Sequence, residues 1–390
     1  MNTKKMKLAA LAMVACMGVF TACNDDNHPG TGGGGGGNDT GVEENDPLEG
    51  SITSDLTLKA GNTYYLNGEF IIKSGATLNI EPGVTIVAKY DDRVDFILVE
   101  QGGKIDAQGT ASAPIIMTSS KEEPGAWGGI HICGYAHTNA EGGKGSSEIG
   151  GAVYGGDNDA DNSGTLKYVR VEYTGYAFDE EHEANGISFY GVGNGTTVEN
   201  CEAYKGSDDG FEFFGGSVNI KNMVAVSCSD DSFDWTEGWN GRGENLVAFQ
   251  EAEETLGYDC DCLIEADNNE NNYAATPVSH PVLKNLILIG NGGSKHGVRL
   301  RRGTEVEIEN ALIGGKALAL AVESVETENA LKDGTSKLSD VKISGTLNSK
   351  EGIYTNELFL EDGNSVEQPF NYTSLNDVAK DCPWMSGWVK

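Results

Sequence analysis

Short apolar runs return along this chain at intervals of a little over twenty residues, each just after an asparagine. Met223-Val224-Ala225-Val226 follows Asn222, Leu246-Val247-Ala248-Phe249 follows Asn245, and Leu286-Ile287-Leu288-Ile289 follows Asn285. These runs are short, rich in β-branched residues and bounded by turn residues, so the pattern predicts strands and not helices. Val198-Glu199-Asn200-Cys201 and Ile308-Glu309-Asn310-Ala311 superpose on the same frame, which gives five asparagines at spacings of 22, 23, 40 and 25. Repeats of this period mark a solenoid of stacked units. Strands that return in parallel register predict a parallel β-helix, in which each coil buries its inward face against the next at about 4.8 Å. Stacked asparagine amides at a turn would satisfy one another, and the 40-residue interval is one coil with lengthened turns.

Earlier coils read the same way. Gly75-Ala76-Thr77-Leu78-Asn79-Ile80-Glu81-Pro82-Gly83-Val84-Thr85-Ile86 and the run from Gly102 to Thr110, then Ala113 to Ile116, alternate apolar and polar residues between Gly or Pro turns. The sequence holds 54 glycines and nine prolines, a composition suited to many turns and few helices. The predicted architecture is all-β, a right-handed single-stranded parallel β-helix over 51–323. A less regular region follows at 324–390, with a helix expected from Ala330 to Lys337 and with Trp384 and Trp388 sealing the open end of the solenoid.

The N-terminus carries a different signal. Lys4, Lys5 and Lys7 precede an apolar run from Leu8 to Phe20, and Phe20-Thr21-Ala22-Cys23 has the form of a bacterial lipobox. The run is too short to span a bilayer as a helix. The expectation is a signal peptide over 1–22, lipidation of Cys23 and a glycine-rich tether over 23–50. Losing the signal takes the formal charge from −33 to −36. A surface this acidic excludes nucleic acid as a partner and favours cations or neutral ligands. Six cysteines remain beyond Cys16 and Cys23, namely Cys133, Cys201, Cys228, Cys260, Cys262 and Cys382; an exported chain permits disulfides among them, and Cys260-Asp261-Cys262 lacks a second ligand pair at zinc spacing, so no cofactor besides Ca²⁺ is expected.

The candidate chemistry lies in a second repeat, Asp208-Asp209-Gly210-Phe211-Glu212 and Asp230-Asp231-Ser232-Phe233-Asp234, offset by 22 residues. Extending it to Asp261-Cys262-Leu263 and His296-Gly297-Val298 places Asp209, Asp231, Asp261 and His296 in one outward column that Asn185 could head. Carboxylates on adjacent coils would sit about 5 Å apart. Charges so close require a shared cation, a shared proton or neighbouring bases. Hard oxygen ligands in a fixed array suit Ca²⁺. Asp208, Glu212, Asp234 and Asp261, with Arg299 and Arg301, are candidate ligand contacts. Trp235 and Trp239 join them, Trp239 lying in the turn Glu237-Gly238-Trp239-Asn240-Gly241, whereas Phe211 and Phe233 belong to the core. A separate acidic loop, with Asp157, Asp159 and Asp161 at alternate positions, has the start of a calcium loop without its glycine or terminal glutamate. The run Asp179-Glu180-Glu181-His182-Glu183 reads as a loop standing over the Asp-Asp coils.

Glu81-Pro82-Gly83-Val84-Thr85-Ile86, Gly109-Thr110 with Pro114-Ile115, Trp127-Gly128-Gly129-Ile130, Asp161 through Glu172, Asn185 through Gly193 and the two Asp-Asp coils resemble the right-handed parallel β-helix lipoproteins of Bacteroidetes and related marine bacteria. The resemblance implies a pectate-lyase-like solenoid. Asn24-Asp25-Asp26 after the lipobox resembles the acidic export signal of such lipoproteins and implies display on the outer face of the outer membrane. The leading functional expectation is a surface lipoprotein that captures a glycan, with Ca²⁺ as a possible cofactor and a TonB-dependent transporter as a possible partner. An alternative comes from a motif-level resemblance to the polygalacturonase family. By position, Asp209 matches its first acid, Asp230 and Asp231 its paired acids, His296 its histidine, and Arg299 or Arg301 its substrate clamp, implying an inverting hydrolase or a lyase. Ser207-Asp208 replaces that family's Asn-Thr, and its Arg-Ile-Lys triplet is absent. A third expectation is a non-catalytic adhesin or structural protein, with Arg299 and Arg301 bridging Asp234 and Glu212.

Overall fold

The computed structural model of the protein describes residues 46–178 and 183–390. The expected signal peptide, Cys23, the tether up to residue 45 and the stretch 179–182 lie outside them. The described strands form a parallel β-helix, one continuous system of 24 strands with a separate two-stranded hairpin, Gly145–Ser146 with Val153–Tyr154. Parallel pairing begins at Pro47–Ile52 and continues through Lys337–Ile343, Thr346–Ser349 and Ser365–Val366. The solenoid therefore runs past the boundary expected at 323.

Each coil presents three faces. One carries the run Ile130–Cys133, Ile187–Tyr190, Phe211–Phe214, Phe233–Thr236, Ile264–Ala266, His296–Leu300 and Leu318–Val322. The other two are the halves of longer strands such as Thr197–Tyr204, Asn219–Val226 and Arg242–Phe249. The corner between those halves is the asparagine column. Asn200, Asn222, Asn245, Asn285 and Asn310 all adopt φ between 56° and 63°, the left-handed conformation that asparagine tolerates best among residues with a side chain. Tyr168 and Asp340 extend the column at φ 51° and 53°. Amides stack along it, with Asn245 donating to Asn222 at 2.7 Å, Asn285 to Asn245 at 3.1 Å and Asn310 to Asn285 at 2.9 Å. The column folds each strand around the core, as the repeat implied.

Strand alternation fills the interior. Phe189 stacks on Phe213 at 5.0 Å, Phe213 on Trp239 at 4.2 Å and Phe211 on Phe233 at 5.5 Å. Trp235 and Trp239 are each 1 % exposed. Their indoles donate to Thr304 Oγ1 at 3.0 Å and to the Val218 carbonyl at 3.1 Å. This corrects their assignment as ligand contacts: a large apolar ring at an inward position gains more from the core than from water.

The C-terminal region departs from expectation in two ways. The helix is Val325–Asp333, and it lies between two solenoid strands. Beyond it, Tyr354 and Phe359, both fully buried, join the core, and the buried Glu328 pins their loop by accepting from Ser349 Oγ at 2.6 Å and from the amides of Glu351, Ile353 and Tyr354. Trp388 does not seal an end of the solenoid. With Val378, Cys382 and Met385 it packs sideways onto the outward Val224, Val226, Val247, Phe249 and Ile289, so the chain end straps the lateral face. All six cysteines from Cys133 onward are buried free thiols.

Candidate functional site

On the first face, inward apolar residues alternate with an outward charged row. The register aligns Ser188, Glu212, Asp234, Glu265 and Arg299. Counting back along the same strands sets Asn185 opposite Asp209, then Asp231, Cys262 and His296, and sets Asp208 opposite Asp230, Asp261 and Lys295. The column expected from sequence is therefore right for Asn185, Asp209, Asp231 and His296 and one residue out at Asp261. Leu263 donates to the Gly297 carbonyl at 2.9 Å and Cys262 to Asp231 Oδ1 at 2.6 Å, so Cys262 holds the place assigned to Asp261. The matching step is apolar-charged-apolar, Phe211-Glu212-Phe213, Phe233-Asp234-Trp235 and Ile264-Glu265-Ala266. That signal was in the sequence and would also have found Glu265.

Three rows of acids thus share one open cleft of about 450 Å³, joined by Glu148 and Glu183 from the flanking loops and by Arg299 and Arg301 at its far edge. Ten carboxylates line it. The oxygens of Asp208, Asp209 and Asp230 lie within 4.8 Å of one another, as do those of Asp209, Glu212 and Asp234. Asp209 and Asp231 are only 5 % and 4 % exposed. Each also caps the next coil, Asp209 Oδ1 accepting the Asp231 amide at 2.8 Å and Asp231 Oδ1 that of Cys262. Glu212 accepts from Asn185 Nδ2 at 2.5 Å. One oxygen of Asp234 is buried with no hydrogen-bond partner.

The electrostatic consequence is severe. Burial, reinforced by the neighbouring carboxylates, holds Asp209, Glu212, Asp231 and Asp234 well above the usual carboxylate range. Asp208 is pushed up to about 8 by burial and then by Asp230, and Asp230 is raised by burial and Asp261. Asp261 behaves oppositely. Burial would raise it, but the ammonium of Lys295 at 2.5 Å more than offsets this and holds it low.

Arg299 and Arg301 do not bridge Asp234 and Glu212 as the scaffold expectation required. Arg299 pairs with Glu265 at 3.0 Å and Glu323 at 2.9 Å, and Arg301 with Asp267 at 2.7 Å and with Glu265. Their charge is committed one coil further on, because the solenoid register sets them directly against Glu265 and Asp267.

His296 is two coils beyond Asp231, about 10 Å by coil spacing, and groups with Asp261 and Cys262. It is not placed to share a proton with Asp209 or Asp231. The loop carrying Asp157, Asp159 and Asp161 does not gather its carboxylates either. Asp159 accepts from the His137 amide and lies 2.6 Å from His137 Nδ1. Asp161 accepts from the Tyr135 amide at 3.2 Å and from Ser163 Oγ at 3.3 Å, and Asp157 is exposed. These acids brace the segment 134–138, so their assignment as a metal loop is corrected. Sequence reading missed Glu148, which stands 42 residues before the Tyr190 whose hydroxyl it accepts and carries no repeat signature.

No curated protein matches the chain. The sequence model of the pectate-lyase like beta helix domain matches residues 50–389, nearly the whole of the stacked coils and the strap that crosses them, and by that match the chain belongs to the pectate-lyase-like beta-helix family.

Proposed function

We propose that this protein is an outer-membrane lipoprotein, anchored through Cys23 and facing the cell exterior, whose acidic cleft holds Ca²⁺ and uses it to bind a glycan. The observation that carries the calcium reading is the buried, unpartnered oxygen of Asp234 among carboxylates whose nearest guanidiniums are already paired elsewhere. Desolvated like charges need a counter-charge, and all-oxygen groups with donor atoms within 4.8 Å of one another suit a hard divalent ion that takes six to eight oxygens. Bound there, Ca²⁺ would supply positive charge and open coordination positions for hydroxyl or carboxylate oxygens. Asp209, Glu212 and Asp234 would hold it, while the capping bonds of Asp209 and Asp231 fix the distance between coils.

A sugar contact is available without the tryptophans. Arg299 and Arg301 are shared with an adjoining hollow of about 330 Å³ lined by Arg302, Lys350 and Tyr273, and Tyr273 is 41 % exposed. An exposed phenol ring beside cations is a platform for a sugar face, since its apolar body stacks while the polar tip stays wet. The lipid anchor and outward display rest on the lipobox and the acids after it, and nutrient capture for a TonB-dependent transporter extends that location. The crowding of Asp208, Asp209 and Asp230 argues for a shared cation over an inverting pair, which needs about 6.5 to 9.5 Å between carboxyl groups.

The test is retention of the purified protein on immobilised polysaccharides in Ca²⁺ and in EDTA, for wild type and for Asp209→Asn/Asp234→Asn. Retention of wild type in Ca²⁺ alone, lost in the variant, is expected. Retention indifferent to both EDTA and the variant would place glycan binding elsewhere.

A further inference from the structure

We propose that Asp261, which lines the cleft, joins Cys262 and His296 in a second metal site of different chemistry that binds Zn²⁺. One ligand atom from each lies within 4.8 Å of the others, and Cys262 Sγ is 3.3 Å from Asp261 Oδ1. Ligands of a tetrahedral zinc stand about 3.3 to 3.8 Å apart, given bonds of about 2.0 to 2.3 Å.

Three features mark these residues as a built site. Cys262 is completely buried, yet it stands outside the hydrophobic core that includes its neighbours Leu263 and Ile264. Its sulfur faces Asp261 and Glu265, at 3.3 and 3.9 Å, where a thiol filling space would face apolar atoms. Second, the loop that delivers it is held from both sides. The buried Lys316 donates to the Cys260 carbonyl at 2.8 Å and to Asn291 Oδ1 at 2.7 Å, and Gln250 donates to the Asp261 carbonyl at 3.1 Å. Third, Lys295 takes the second oxygen of Asp261 at 2.5 Å and so orients the first, as outer-shell partners of metal ligands do.

Donor softness separates this site from the calcium groups. The Asp208, Asp209 and Asp230 cluster offers oxygen alone, whereas thiolate with imidazole selects zinc over calcium. Binding displaces the Cys262 thiol proton to solvent, and His296 supplies the imidazole nitrogen. Three protein ligands leave a fourth position for water. The inference does not rest on the calcium reading.

Co²⁺, which reports sulfur ligation by colour, tests it directly. The purified protein is titrated with Co²⁺ in excess Ca²⁺, then with Zn²⁺. One equivalent should produce a sulfur-to-cobalt charge-transfer band and tetrahedral visible bands, both abolished by stoichiometric Zn²⁺. Cys262→Ser should lose the charge-transfer band while Cys260→Ser keeps it. His296→Gln, a change at a half-buried position whose fold is checked by circular dichroism, should weaken Co²⁺ affinity at least about tenfold. Absence of the sulfur band in wild type, or its persistence in Cys262→Ser, would overturn the site.

Discussion

Asp231 offers one oxygen to the amide of Cys262, and at 4 % exposure among other carboxylates its ionisation is held well above the usual carboxylate range by burial. The substitution Asp231→Asn would preserve the accepting oxygen and remove the charge. Without metal this variant should therefore be more stable than wild type by about 1 kcal/mol or more, since each tenfold suppression of ionisation corresponds to ~1.4 kcal/mol. Urea unfolding in EDTA measures this. The same electrostatics sets a pH dependence. Asp208 has an ordinary value of 3.8 and is pushed up to about 8 in the folded protein, so between those values the folded state binds the extra proton and stability falls as pH rises. In EDTA the urea midpoint should be higher at pH 5 than at pH 8, and Ca²⁺ should narrow the difference. Trp239 was the most visible sugar contact in the sequence and is a core residue in the structure. Trp239→Ala should cost about 3 to 5 kcal/mol and leave no specific binding defect once the fold is accounted for. Its turn position was legible; its direction was not, because only packing against Phe213 decides which way a ring in a turn points.

At the scale of the elements, the asparagine column shows how a repeat becomes a corner. Asn245 is in the left-handed region at φ 63° and both donates to Asn222 and accepts from Asn285. Asn245→Ala loses the ladder and must hold a conformation costing about 1–2 kcal/mol; Asn245→Gly loses only the ladder. Unfolding midpoints should therefore fall in the order Asn, Gly, Ala. The column was fully legible because its chemistry and its period coincide. The acidic face was legible only for coils of regular length. Between Phe249 and Val282 two lengthened turns surround the three-residue strand Ile264–Ala266, and matching by the acid before the strand slipped Asp261 by one residue. A one-residue slip exchanges faces in any strand, which is why Glu265 went unseen and Asp261 took the place in the column that belongs to Cys262.

The described residues from 46 onward form a solenoid whose last coil is closed by a locked loop and whose flank is strapped by the C-terminal segment. Glu328 is the lock. Burial alone would raise it, but Ser349 and three backbone amides outweigh burial and hold it below its ordinary 4.5. Its contribution is present above that value and is lost as pH falls through the lowered one. Glu328→Gln should cost about 1.5 to 3 kcal/mol, seen as faster hydrogen exchange at Glu351, Ile353 and Tyr354. That the C-terminal tail straps the side of the solenoid and leaves its end to Tyr354 and Phe359 was not legible, because outward valines on a lateral face look like ordinary strand residues until something covers them. What the cleft holds turns on the cation. Thermal unfolding of the purified protein in EDTA and in Ca²⁺, for wild type and for Asp209→Asn/Asp231→Asn, tests it most directly, because an ion bound only to the native state must raise the midpoint. Ca²⁺ should raise the wild-type midpoint and leave unchanged that of the variant, whose EDTA midpoint already exceeds that of wild type. An unchanged wild-type midpoint in Ca²⁺, or an equal rise in both proteins, would contradict it.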